Sequence, residues 1–191
     1  MEPQQRVSEL HAAVEQYRDS ASPFYDEVVE EVSSRVTKQG NLGKADIGAL
    51  VAWKRLNANT RWMANLMRSS DAVVRAATAE ARKAALDDGS TLELAAAGAR
   101  SALASIPGFG VGDALASAVI YALAPGRMAV YDRRAQAGLE LLGLELTSKS
   151  GRYGRYMALV DQLIRDANVE GLSLSARDVD LGLFTLGDPA A

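Results

Sequence analysis

The 191-residue chain has no cysteine, which excludes disulfides, thiolate zinc sites, iron–sulfur clusters and thiol nucleophiles. A single histidine, His11, speaks against a His-rich metal site or a Ser/His dyad, and its place among the first helical residues predicts a solvated face. Aromatics make up 6%, and runs of β-branched residues are scarce. No apolar run approaches the length needed to span a bilayer, and the opening MEPQQRVSEL holds no signal-peptide core. A soluble cytoplasmic protein with no membrane partner is the expectation. The net charge of −3 speaks mildly against an extended nonspecific coat on nucleic acid.

What the chain has is alanine and helical periodicity. Apolar residues recur at helical spacing along nearly the whole sequence, so an all-α protein is predicted. Val7, Leu10, Val14 and Tyr17 define a first helix. Ser22-Pro23 predicts a second that runs through Phe24, Val28, Val32 and Val36 to Gly40. These two acidic helices, residues 1–40, are expected to pack on the body without carrying chemistry. Asp46 can cap a third helix, on which Trp53 falls at or beside the apolar face. Spacing favours a core tryptophan with Lys54 on the surface. Ser70 or Asp71, Thr91, and Ser175 with Asp178 mark further helix starts. Gly138 stands as a weak point inside a helix that begins at Asp132, and residues from Gly187 onward read as a frayed tail.

The stretch LASIPGFGVGDALASAVIYALAPGRMAVYDRR, residues 103–134, organises the rest. Pro107 cannot continue the incoming helix, Gly108 and Gly110 admit backbone geometries closed to other residues, and Phe109 between them can point inward. Val111 is expected to open the next helix, whose unsatisfied first amides suit an anionic oxygen. Two readings fit: a plain helical hairpin, or a hairpin that grips a nucleic-acid phosphate through its backbone. Arg127, Arg133, Arg134, Lys149, Arg152 and Arg155 gather positive charge after it, as Lys44, Lys54, Arg55, Arg61 and Arg68 do before it, a pattern that solvated faces also produce. Asp132 reads first as the N-cap of the helix that follows.

The I-P-G-F-G-x-x-x-A hairpin, the Pro125-Gly126 break and the apolar run ending in Asp132 resemble the helix-hairpin-helix (HhH-GPD) DNA glycosylases. More narrowly, with Asp46, Trp53-Lys54 and Ala176-Arg177-Asp178-Val179-Asp180, the chain is similar to compact prokaryotic proteins of 8-oxoguanine-glycosylase fold. The resemblance covers roughly residues 41–187. It implies one two-lobed helical domain whose cleft lies between the lobe with the hairpin, 103–123, and a lobe built from both chain ends. It implies DNA with a damaged or modified base as partner, flipped out of the duplex, and Asp132 as catalytic carboxylate, stabilising an oxocarbenium-like sugar and activating water. DNA-binding candidates are Gly108, Gly110, Gly112, Arg127, Arg133, Arg152 and Arg155. Base-pocket candidates are Trp53, Lys54, Tyr131 and Phe184, the aromatics equally suited to plain core. No cofactor or metal is implied beyond a monovalent cation at the hairpin, as in relatives.

Bifunctional relatives carry a Schiff-base lysine where this chain has Gly112, so a monofunctional enzyme is expected unless Lys54 substitutes. Base excision repair and defence against phage DNA with modified bases are the biological settings that the resemblance suggests. A noncatalytic DNA-binding module is the alternative, and a helical scaffold without nucleic acid is a third reading.

Overall fold

A computed structural model describes residues 1–110 and 112–188. The described residues form ten helices and no strand, so the protein is all-α. The helices are α1 (Pro3–Ser20), α2 (Glu27–Gln39), α3 (Lys44–Trp53), α4 (Arg61–Arg68), α5 (Asp71–Ala85), α6 (Leu92–Ala102), α7 (Ala114–Leu123), α8 (Arg133–Leu141), α9 (Arg152–Val169) and α10 (Ala176–Leu186). Among the described residues no helix is long and apolar enough to cross a membrane.

The two chain ends meet. α10 packs against α1 on one side and α8 on the other, while α6 lies between α5 and α9, and α2 covers α3 and α7. α7 is buried on nearly every side, as a helix apolar all round should be. Small residues set the closest crossings. A Cβ at Gly182 would stand 2.7 Å from Leu10 and 2.9 Å from Val14 of α1. A Cβ at Gly138 would stand 2.8 Å from the Leu183 carbonyl carbon and closer still to its oxygen. Gly138 is therefore the contact that lets α8 lie on α10, rather than a tolerated weak point.

Helix starts follow side-chain chemistry. Thr60, Ser70, Thr91, Asp132 and Ser175 each accept an amide hydrogen from the first turn of their helix. Asp46 is not an N-cap. It sits at N3 of α3, accepts the Gly43 N–H at 2.9 Å and is buried against Arg35. The Ser22-Pro23 signal gives a turn rather than the start of α2. Ser22 accepts the Phe24 N–H at 3.3 Å, the helix begins only at Glu27, and the buried face is Val29, Val32 and Val36. Phe24 and Val28 are exposed. The offset arises because Asp26, at the N-cap position, is drawn inward to Trp53 and Arg177.

The C-terminus differs from a frayed tail up to residue 188. Gly187 packs so tightly on the Arg134 backbone that a side chain has no room, and Asp188 pairs with Arg134. Residues 189–191 lie outside the described residues. His11 is half-buried, with Nδ1 enclosed and without a partner among the described residues, not on a solvated face.

Candidate functional site

The hairpin forms as its residues dictate. α6 ends at Ala102, and two successive turns close by Ile106 N–H to Leu103 O at 3.0 Å and Phe109 N–H to Ile106 O at 3.1 Å. Phe109 is fully buried and anchors the turn. Gly108 has φ +95, and a Cβ there would strike the Trp62 indole. Gly112 has φ +76, so backbone conformation alone accounts for a glycine at that position. Gly110 has neither constraint. Nothing lies within 4 Å of its would-be Cβ, and it lines an open groove of about 1040 Å³. Val111, expected to open the next helix, lies outside the described residues, and α7 begins at Ala114. The Ile106 carbonyl accepts the Phe109 N–H within the turn.

The cationic rim differs from the expected one. Arg152 reaches the groove, where its Nε donates to Asp113 Oδ2 at 2.8 Å and its guanidinium covers the Tyr131 ring at 4.7 Å. Arg100, not singled out from the sequence, donates to the other Asp113 oxygen at 3.0 Å and to the Gly112 carbonyl at 3.0 Å. Asp113 at the N-cap of α7 thus braces two arginines beside the hairpin instead of capping with its side chain. Arg133 is exposed on the groove wall. Arg127 and Arg155 do not line it. Arg127 binds Asp88 and the Ser90 carbonyl, and Arg155 gathers the carbonyls of Thr147, Lys149 and Ser150. Both bond loop groups outside the groove.

Asp132 is held from several elements. The extended segment before it, Met128–Tyr131, is buried and pinned residue by residue. Tyr153 of α9 donates to Ala129 O at 2.9 Å, and Tyr156 donates to Val130 O at 3.2 Å. Asp180 of α10 accepts the Val130 N–H at 2.8 Å, and Ser117 of α7 accepts the Tyr131 N–H at 2.9 Å. Asp132 then caps α8, its Oδ1 accepting the Ala135 N–H at 2.9 Å. Its Oδ2 accepts from Lys54 Nζ at 3.0 Å. The two side chains are 14% and 20% exposed. Lys54 is therefore not a surface lysine, and the pair is shielded enough for its attraction to exceed that of a solvated ion pair.

Asp132 also lies at a junction. On one side is the groove that carries Gly108, Gly110, Gly112, Tyr131, Arg133 and Arg152. On the other is a cavity of about 220 Å³, walled by Tyr17, Tyr25, Trp53 and Phe184, with Lys54 and Asp132 at its edge and Arg177 and Asp180 among its lining. The base-pocket candidates accordingly divide. Trp53, Lys54 and Phe184 line the cavity, whereas Tyr131 belongs to the groove and is buried, stacked edge-on against Tyr156 at 5.4 Å.

Trp53 is both core and wall. Its indole stacks on Tyr121 at 6.3 Å and donates to Asp26 Oδ1 at 3.1 Å. Phe184 is packed edge-on by Tyr17 at 6.4 Å and covered by Arg134 at 4.0 Å.

Tyr17, Tyr25, Asp26, Arg177 and Asp180 were not singled out as site residues by sequence. The usable signal was Arg177 and Asp180, opposite charges three apart just before the apolar run Leu181–Phe184. Arg177 donates to Asp180 Oδ1 at 2.8 Å and to Asp26 Oδ2 at 2.7 Å, joining α10 to the α1–α2 turn. Burial pushes the Asp180 carboxyl up to about 6, although Arg177 and the Val130 N–H both pull it down. Burial works against the Arg177 charge, but Asp180 and Asp26 hold its pKa above the usual arginine range. No family model matches the chain, and no curated protein or solved structure matches it either.

Proposed function

We propose that the protein is a DNA glycosylase of the two-lobed helix-hairpin-helix kind, which flips a damaged or modified base and cleaves its N-glycosidic bond with Asp132. One observation carries this reading. Asp132 stands where a wide groove with a cationic rim meets a small aromatic cavity, and a shielded lysine touches it. A nucleotide with its phosphates on the groove rim and its base in the cavity would bring its sugar to Asp132. Gly110, with open space around it, lets a strand approach the hairpin backbone, and the braced pair Arg100 and Arg152 suits phosphate oxygens. Aromatic walls suit any base, since each offers a π-face.

In this reading the bond between base and C1′ breaks with its electron pair leaving on the base. Positive charge develops on the sugar, and the carboxylate, held in place beforehand, stabilises it. Water then attacks C1′ and yields a proton to Asp132; the departed base anion takes up a proton from solvent as Asp132 returns one to the solvent, leaving an abasic site and the free base. Base excision repair and defence against modified phage DNA are both consistent settings.

The Lys54–Asp132 contact favours a second reading, in which Lys54 replaces the lysine missing at Gly112. Asp132 would take a proton from Lys54, and the free amine would attack C1′ to give a Schiff base after base loss. The test is incubation with DNAs carrying different modified bases, detection of released base by mass spectrometry, and parallel borohydride treatment. Released base without a trapped protein–DNA adduct supports hydrolysis. An adduct lost in Lys54→Met supports the amine. No release from any substrate leaves the noncatalytic DNA-binding module as the better reading.

A further inference from the structure

One carboxylate beside the hairpin holds two arginines. Asp113 stands at the N-cap position of α7, yet its side chain caps nothing. Its Oδ1 accepts from Arg100 Nε at 3.0 Å and its Oδ2 from Arg152 Nε at 2.8 Å. All three side chains are mostly buried. One negative charge against two positive ones leaves the cluster cationic. Arg100 also donates to the Gly112 carbonyl through Nη2, which ties Asp113 to the hairpin. Arg152 is fixed on two sides, by Asp113 at its Nε and by the Tyr131 ring, which its guanidinium covers at 4.7 Å. Its Nη1 and Nη2 have no hydrogen-bond or ion-pair partner among the described residues. A carboxylate that neutralised Arg152 in a two-pronged pair would engage two of its nitrogens. Asp113 engages one and leaves the outer edge open.

Resting on the glycosylase reading for the identity of the ligand, we infer that Asp113 is a positioning residue, which holds Arg152 so that its outer edge takes one phosphodiester group of the strand in the groove. Asp113, Arg152, Gly110 and Gly112 line the same groove as Asp132, and Tyr131, on which Arg152 lies, immediately precedes Asp132. A planar guanidinium with two free terminal nitrogens matches two phosphate oxygens. Fixing it before the strand arrives removes from binding the cost of ordering a long side chain. Two roles for Asp113 then carry opposite signs. As a bare charge beside phosphates it opposes binding. As a brace for Arg152 it promotes binding.

The test measures affinity for a fluorescein-labelled DNA duplex carrying a tetrahydrofuran abasic analogue, by anisotropy over a salt series, on full-length protein whose fold is checked by thermal melts. Arg152→Met is expected to weaken binding about tenfold and to lower the slope of log affinity against log salt by about one. Asp113→Asn should weaken binding at least about threefold, although it removes a negative charge. In the Arg152→Met background the same substitution should weaken binding no further. Asp113→Glu keeps the net charge and displaces the carboxylate by one methylene. It should weaken binding as well, and it supplies the comparison if Asp113→Asn does not fold. Unchanged or tighter binding by the folded Asp113 variants would overturn the inference, as would an equal loss with and without Arg152, or a parent protein that does not bind the duplex. The glycosylase reading is judged separately, by base release from DNA. Release with no effect of Asp113 on binding would leave that reading standing without the brace. The brace without release would stand on a noncatalytic DNA-binding module.

Discussion

Replacing Gly138 with alanine should damage both stability and chemistry, although Gly138 touches no part of the groove or cavity. The new Cβ would stand 2.8 Å from the Leu183 carbonyl carbon and 2.9 Å from its Cα. Carbon atoms pack comfortably at about 3.5–4.0 Å, so α8 and α10 must part by at least about 0.7 Å. The obstructing atoms are backbone and cannot swing aside. Overpacking of this kind costs about 1–3 kcal/mol, offset by up to about 1 kcal/mol of alanine's helix preference over glycine. A net loss of about 1–2 kcal/mol follows, or a fall in Tm of roughly 2–8 °C for a chain of this size.

The displacement also reaches Asp132, which caps α8 within two turns of Gly138, while α10 holds Val130, two residues before it, through Asp180. Moving one helix against the other shifts the carboxylate relative to the cavity, and a misplacement near 1 Å can cost about 100-fold in rate. Chemical denaturation and base-release kinetics check the two parts. Unchanged stability would refute the packing argument. Lost stability with an unchanged rate would refute the coupling between the α8–α10 contact and the site.

Gly110→Leu should fold as the parent does yet bind DNA less tightly, whereas Gly108→Leu should lose stability outright, because it opposes both φ +95 and the Trp62 ring; thermal melts and DNA titration separate the two. Asp180 should titrate near 6 by carboxyl NMR. Because burial raises its folded pKa above the ordinary 3.8, its charge weakens the fold above about 6, and that penalty is relieved as pH falls from 6 toward 3.8. Asp71 and Asp178, held below their ordinary value in the fold, withdraw support only at lower pH. Its contribution should therefore raise stability between pH 7 and pH 5, and Asp180→Asn should abolish that rise; a midpoint at or below 3.8 would contradict it. Lys54→Met should leave Asp132 Oδ2, on a side chain 20% exposed, without its ion-pair partner and lower stability by about 1–3 kcal/mol in denaturation, the cost of leaving a shielded polar group unsatisfied.

Local chemistry was legible in the sequence, and long-range partnership was not. The caps at Thr91, Asp132 and Ser175 depend on neighbours within three residues, and the buried Phe109 depends on the turn around it. The Lys54–Asp132 contact joins residues 78 apart, and helical spacing can place Lys54 on a face without saying what that face meets. The loop partners of Arg127 and Arg155 were illegible for a related reason. A basic cluster in sequence does not distinguish arginines that face a groove from arginines that close their own loops. The start of α2 was misplaced because Ser22-Pro23 obeys the local rule for a helix start, yet Asp26 is recruited by Trp53 and Arg177. Tertiary demand set that boundary.

Asp132→Asn separates a catalytic carboxylate from a mere helix cap. Asparagine keeps an oxygen for the Ala135 N–H, so α8 retains its cap, while the negative charge facing Lys54 is lost. Base release from a DNA substrate that the parent protein processes is measured by mass spectrometry, with rates normalised to folded protein. A catalytic Asp132 requires a fall of at least about 100-fold, with DNA binding retained or tightened. Release at the parent rate would reduce Asp132 to the N-cap of α8 and contradict the proposed function.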